Sequence, residues 1–282
     1  MIVLRNATQV RVNLPPMGWQ PDPPDKKDWM FSATKTVSSV TAAALTNLEM
    51  DLEVYFRPVS DQMQFPSCTA NAGADTLEAV TVVEKVGAEL PLQEAIDSTP
   101  DASRMFLWYN GRQMMDPPQG SNAASGCHNR LVVDSIARFG VPTETEWPYA
   151  PENATRRPSL KAYREAKRHM CLSYYGIGEA GNRRASLVRV ALGSKLPVIF
   201  GGPIGVEFQD YAGGSKVLGY PQGEILGGHA MVICGWNPKL QAFKVRNSWS
   251  KYWGNNGYCW LHADYIANPN MSGFWVISKG SL

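Results

Sequence analysis

The chain has 282 residues, 44% of them hydrophobic, and a formal net charge of +2. This is enough apolar material for one large core or two lobes sharing a cleft, and too mild a charge balance to indicate nucleic acid or a membrane as partner. No run approaches the ~20 apolar residues of a membrane span, and the opening Met-Ile-Val-Leu-Arg-Asn is too short and too soon polar for a secretory signal, which favours a cytoplasmic or assembly-associated setting over classical secretion.

Residues 1–60 read as an extended, proline-rich segment, with Pro15-Pro16, Pro21 and Pro23-Pro24, expected to pack along the body of the protein or on a partner assembly. The character changes at Asp61. Pro66 stops any helix upstream, Ser67 is a good N-cap, and a helix is predicted from Cys68 to about Val86, apolar on most sides and hence buried. Further helices are predicted over 103–115, 130–139 and 159–170, completing a helical lobe over residues 61–180. A helix capped by Asn182 and running to about Lys195 opens a β lobe over residues 181–282, with strands at 196–200, 229–236, 242–249, 257–261 and 273–277. The expected fold class is α+β, a single unit in which a helical lobe faces an antiparallel sheet or partly closed barrel.

Five cysteines, at 68, 127, 171, 234 and 259, make no Cys-x-x-Cys pair and no zinc spacing, and their odd number leaves at least one thiol free. No metal and no cofactor is expected. Cys68 stands at a helix start, where unpaired N–H groups and the macrodipole favour a thiolate well below the ~8.5 of free cysteine. Position alone is met as well by a small buried apolar residue, the commoner role of an unpaired cysteine.

Among the histidines, His128, His169 and His262 read as structural or surface residues, which leaves His229. The strands flanking Asn237-Pro238-Lys239-Leu240-Gln241 suggest a hairpin. If Trp236 pairs with Ala242, then His229 lies opposite Trp249 and Met231 opposite Asn247. His229 and Asn247 then share a face as diagonal neighbours ~7–8 Å apart at the backbone, and a one-residue slip would break the arrangement. Taken singly, His229 is equally a satisfied strand histidine and Asn247 a strand-end cap.

The order Gln62-x5-Cys68, then Gly228-His229-Ala230, then Arg246-Asn247-Ser248-Trp249 followed by Trp253-Gly254-x-x-Gly257-Tyr258, resembles the papain-like cysteine peptidases. Gly18-Trp19-Gln20-Pro21-Asp22, Phe56-Arg57-Pro58-Val59, Gly140-Val141-Pro142 and Trp147-Pro148-Tyr149 are similar to the bacterial and viral branch of that family. The resemblance implies a papain-like two-lobed fold with the active site in the cleft, and a thiol endopeptidase acting on peptide or protein substrates. Cys68 would be the nucleophile, His229 its ion-pair partner and proton donor, and Asn247 the group that orients the imidazole. The Gln62 amide and the Cys68 backbone N–H would form the oxyanion hole, and Trp249 would shield the His and Asn pair.

Three positions depart from the family's glycines: Met63 after the glutamine, Pro66 before the nucleophile and Ser250 after Asn-Ser-Trp. Met63 and Pro66 are expected to narrow the approach to Cys68. Phe65 stands where plant and lysosomal relatives carry a disulfide cysteine, so Cys127 lacks that partner. The alternative function is a papain-like structural or binding subunit of a larger assembly, such as a virus particle, with reduced or no proteolytic activity and with the N-terminal segment making the contact. The same catalytic set could also act on cell-wall peptides.

Overall fold

The computed structural model describes residues 16–39, 42–171 and 173–279. Its helices are α1 (Lys35–Ser39), α2 (Ala42–Thr46), α3 (Cys68–Gly87), α4 (Leu92–Asp97), α5 (Arg104–Gln113), α6 (Asn129–Phe139), α7 (Leu160–Ala166), α8 (Gly181–Gly193), α9 (Val206–Gln209) and α10 (Ala263–Ala267). Its strands are β1 (Trp19–Gln20), β2 (Met50–Asp51), β3 (Cys127–His128), β4 (Ser173–Gly176), β5 (Val198–Gly205), β6 (Val217–Leu218), β7 (Ile225–Asn237), β8 (Ala242–Arg246), β9 (Tyr258–His262) and β10 (Ser272–Ser278). The architecture is α+β and two-lobed, with helices gathered against a large sheet.

α3 is the hinge of the packing. Fifteen of its residues, Cys68 to Val82, are buried, because small and apolar side chains surround it and Thr76 and Thr81 return their hydroxyls to Ala72 O and Leu77 O at 2.8 and 2.7 Å. It lies against β7 on one side and against α5 and α6 on the other. The sheet runs β4-β10-β5-β7-β8-β9-β6, with β2 pairing β7. Its pairs are antiparallel except β6 with β9. β2 and β4 enter this sheet from before residue 181, so the sheet is not built from 181–282 alone.

The hairpin departs from the expected register and then recovers it. Asn237 pairs Ala242 and Trp236 pairs Phe243, leaving a four-residue loop. The loop is tightened because Asn237 Oδ1 accepts from Lys239 N and Leu240 N at 2.9 and 3.1 Å. A bulge between Ile233 and Gly235 then shifts the pairing by one, so that Ile233 faces Val245 and Val232 faces Arg246. Beyond the bulge the ladder stands in the register that puts Met231 level with Asn247.

The N-terminal segment runs across the body over its described residues, and the expectation for 1–15 falls outside them. Where extended chain was expected through residue 60, α1 and α2 form short helices. Residues 16–30 are held by Arg130 at the start of α6. Its guanidinium bonds Asp25 and Asp28, each at 2.6 Å, and its N–H reaches Asp22 Oδ1 at 3.1 Å. Trp275 Nε1 donates to Asp22 Oδ2 at 2.6 Å and Gly176 N to Trp29 O at 2.8 Å.

Candidate active site

Cys68 opens α3 with Ser67 as the preceding cap residue. The Ser67 side chain does not cap the helix as expected. Its Oγ lies 2.6 Å from Tyr149 OH and accepts from Asn71 Nδ2 at 3.1 Å. The tyrosine hydroxyl also donates to Gln62 O at 2.8 Å, so Tyr149 ties the loop before α3 to the helix start. The Trp147-Pro148-Tyr149 stretch was the sequence signal for this residue, but not for this role.

The same loop is stitched to the end of β8. Gln62 N donates to Ser248 O at 2.8 Å and Ser250 N to Ser60 O at 2.9 Å. These bonds, with Ala230 packed on Cys68, set the Gln62 loop and the start of α3 against β7 and the residues that follow β8. His229 Nε2 lies 2.8 Å from Asn247 Oδ1, while Nδ1 is buried with no hydrogen-bond partner. Asn247 Oδ1 also accepts from Ser248 N at 2.8 Å. With Asn247 Oδ1 as acceptor, Nε2 carries the proton and Nδ1 is the free acceptor.

Aromatic rings wall off this pair. Trp249 lies 4.9 Å from the His229 ring, and Phe208, which no sequence motif singled out, sits 6.1 Å from His229 and 5.4 Å from Trp249. Trp253 completes the cluster at 5.6 Å from Trp249. His229 and Asn247 are 0% and 1% exposed.

Cys68 is also fully buried, and the cover is the N-terminal segment. Trp19 and Ala230 form an apolar cluster with the cysteine. Gly18 is pressed so closely on Pro66 that a methyl group there would overlap the Pro66 carbonyl, and one at Gly126 would overlap Gly18 O. Cys127 N donates to Gly18 O at 2.7 Å, which sets β1 parallel to β3. Gln62 Oε1 accepts from Ser248 Oγ at 2.8 Å, and Gln62 Nε2 donates to Phe65 O at 2.9 Å and reaches Pro16 O at 3.5 Å.

Covering the site changes its electrostatics. Burial pushes the Cys68 thiol up to about 11, with backbone hydrogen bonds from Ala230 and Gly18 offsetting part of the rise. Burial pushes His229 down to about 4, against the Asn247 hydrogen bond, which raises it. Both groups are therefore neutral at pH 7 in this closed state. The depressed thiol pKa expected from the helix start is not met here, because desolvation outweighs the macrodipole.

The glycine departures also differ from expectation. Met63 is half exposed and has φ 51, and Ser250 has φ 62, so both hold the left-handed backbone that glycine adopts without strain. Gly18 and Trp19, not the Met63 side chain, close the approach. All five cysteines are free and buried. Among the described residues no group of three or more His, Cys, Asp or Glu could hold a metal ion, and no helix is long and apolar enough to cross a membrane.

Residues 46–274 match the papain family cysteine protease profile. The chain belongs to the papain family of cysteine proteases. It is 30% identical over 228 residues to an uncharacterized peptidase C1-like protein from Acanthamoeba polyphaga mimivirus, covering 78% of this chain and 69% of that protein. The crystal structure of xylellain, a cysteine protease from Xylella fastidiosa, superposes with a TM-score of 0.74 at 27% identity, covering 94% of this chain and 96% of that one. Digestive procathepsin L2 proteinase from Tenebrio molitor larval midgut, at 18% identity, TM-score 0.69 and 94% and 78% coverage, shares the papain-family fold. These matches do not favour the assembly-subunit alternative.

Proposed function

We propose that this papain-family chain is a thiol endopeptidase acting through Cys68, His229, Asn247 and Gln62. The observation that carries the reading is the His229 to Asn247 hydrogen bond at 2.8 Å, which leaves the opposite ring nitrogen buried and unpartnered, while Ala230, next to His229 in sequence, packs on Cys68. Once the cleft opens, the Cys68 thiol gives its proton to His229 Nδ1 and the thiolate adds to the substrate carbonyl carbon. The oxyanion is met by Cys68 N–H and by Gln62 Nε2, which the Pro16 carbonyl holds in the closed state. Collapse breaks the C–N bond, and the leaving amine takes the proton from the imidazolium. Water, deprotonated by His229, then cleaves the thioester and restores the thiol.

Mass-spectrometric labelling with an epoxysuccinyl thiol reagent across pH 4–9 tests this reading. The wild-type chain labels slowly, and Trp19→Ala labels at Cys68 selectively at a pH well below ~8.5, an effect that His229→Ala removes. Labelling of Cys68 in Trp19→Ala no faster than that of Cys127 or Cys171 refutes it.

A further inference from the structure

The backbone carbonyl of Gln62 ends a chain of side-chain hydrogen bonds that has one direction. Ser60 Oγ donates to Asn71 Oδ1 at 3.1 Å, and Asn71 Nδ2 donates to Ser67 Oγ at 3.1 Å and to Ser67 O at 3.0 Å. Tyr149 OH gives its only hydrogen to Gln62 O at 2.8 Å. Ser67 Oγ, 2.6 Å from the same hydroxyl, is therefore the donor of that pair. Burial pushes the Tyr149 hydroxyl up to about 12, so it keeps this hydrogen at neutral pH. The chain of bonds leaves the loop at Ser60, crosses the first turn of α3 and returns to the loop through Tyr149.

The bond on which it closes holds a strained turn. Phe65 N donates to Gln62 O at 3.2 Å and Met63 N to Asp61 Oδ1 at 2.7 Å, so the peptide plane joining Gln62 to Met63 is gripped at its carbonyl and at its N–H. Met63 stands at φ 51, where a side chain is disfavoured. A half-turn of that plane takes φ to about −130°, an ordinary extended value, and points the carbonyl away from Tyr149 OH and Phe65 N. The turn then opens, and Phe65 O withdraws from Gln62 Nε2, which it holds at 2.9 Å. Tyr149 is itself firmly seated. Its N–H donates to Glu144 Oε2 at 2.7 Å, the Arg104 guanidinium lies 4.7 Å from its ring centroid, and the Phe65 ring meets it edge-on at 5.8 Å.

We propose that Tyr149 is a positioning residue of the oxyanion hole, whose hydroxyl locks the peptide between Gln62 and Met63 against rotation and so aims the Gln62 amide at the substrate oxyanion. The inference rests on the peptidase reading above. The oxyanion forms only along the reaction path, so losing the lock lowers kcat and leaves KM in place. Cys68 and His229 contribute no side chain to this chain of bonds, and thiol activation is untouched. Met63 is coupled to Tyr149, because a glycine holds the left-handed conformation without the lock.

The test uses the full-length Trp19→Ala chain, fluorogenic peptides and iodoacetamide, which alkylates a thiolate without passing through an oxyanion. Tyr149→Phe removes one oxygen and keeps the ring packed; it lowers kcat ~10-fold with KM within ~2-fold of the parent. The rate and pH profile of Cys68 alkylation stay those of the parent. Adding Met63→Gly recovers most of the lost kcat, which it would not do for a general loosening of the fold. Hydrogen exchange of the Phe65 amide, read by NMR on the chain with Trp19 intact, needs no turnover. It is ~10-fold faster in Tyr149→Phe and returns to the parent rate when Met63→Gly is added. An unchanged kcat in Tyr149→Phe beside an active parent, or an equal kcat loss with and without Met63→Gly, overturns this inference and leaves the peptidase reading standing. A parent that turns over no peptide counts against the peptidase reading; faster Phe65 exchange reversed by Met63→Gly then supports the lock, and unchanged exchange overturns it.

Discussion

Asp75 and Arg246 offer a quantitative test of how the two lobes are held in register. Asp75 lies seven residues, or two turns, along α3 from Cys68, and Arg246 immediately precedes Asn247. Arg246 Nε donates to Asp75 Oδ2 at 2.7 Å and Nη2 to Oδ1 at 3.2 Å, a bidentate pair with side chains 1% and 8% exposed. Arg246 also reaches Tyr258 OH at 2.9 Å and Pro58 O at 3.0 Å. Burial works to lower the Arg246 pKa, but the Asp75 and Tyr258 interactions outweigh it and raise the pKa, so the guanidinium remains charged.

Asp75→Ala removes two of the four hydrogen bonds and the counter-charge while the cation stays buried. The expected loss is ~3–5 kcal/mol, a large part of the ~5–15 kcal/mol that holds a domain folded. Replacing both partners by apolar residues, as in Asp75→Leu with Arg246→Met, recovers most of it, since neither ion then has to be desolvated. Urea unfolding followed by circular dichroism measures each corner of the double-mutant cycle. A loss under ~1 kcal/mol for Asp75→Ala, or additive single losses in the double variant, refutes the reasoning, because a buried unpaired guanidinium cannot cost so little.

Three further outcomes follow from the site and its surroundings. The Glu78 carboxyl is pushed up to about 8 from 4.5, mainly by burial and next by the Asp75 charge. Its contribution to stability is present below about 4.5 and is lost as pH rises through about 8, so between pH 6.5 and 8.5, above the His229 range, wild type loses up to a few kcal/mol and Glu78→Gln does not. Met63→Gly and Ser250→Gly, at φ 51 and 62, each raise the urea midpoint, equivalent to up to ~1 kcal/mol, and an unchanged or lower midpoint means that Met63 and Ser250 are not strained. With Trp19→Ala as background, Gln62→Ala lowers kcat ~10²–10³-fold, and Ser248→Ala, which frees Gln62 Oε1, lowers it by less and leaves the pH profile unmoved. Equal rates for Gln62→Ala and its parent argue against an oxyanion role.

Much of this arrangement was legible in residues whose effects are local. Pro66 and the run of small and apolar residues after it place the start of α3 at Cys68, and the observed helix ends at Gly87, one residue past the expected Val86. The cap chemistry was not legible, because Ser67 Oγ is taken by Tyr149, 82 residues downstream. α8 begins at Gly181 with Ala180 before it, not with Asn182 as cap, since Gly181 adopts φ 61 and turns the chain in. In the hairpin, pairing Trp236 with Ala242 gave the face that His229 and Asn247 share, by parity of position. The Asn237 turn that shortens the loop and the bulge by Gly235 that compensates were beyond it. The bulge depends on β2, since a methyl group at Gly235 would stand 2.8 Å from Met50 O.

The covering of Cys68 was the least legible feature, and the energetics of the segment say why. Its polar anchors join residues far apart in sequence, Arg130 to Asp25 and Asp28 and Trp275 to Asp22, and composition carries no trace of such pairs. Partly exposed ion pairs of this kind contribute ~0–1 kcal/mol each. A buried indole removes ~150–250 Å² from water, worth ~4–6 kcal/mol. Trp19 therefore dominates the hold of residues 16–20 on the cleft, although Gly18-Trp19-Gln20-Pro21-Asp22 marked only a resemblance and not a contact with Cys68. The partner that gives it meaning is Gly201 on β5, Gly228 on β7 and Gly273 on β10, where an added methyl group would meet the indole, and a recess made of absent side chains leaves no apolar pattern to find. For this reason Trp19→Ala opens the site where Arg130→Ala does not, and the contrast in Cys68 labelling between those two variants measures how much of the closure one side chain carries.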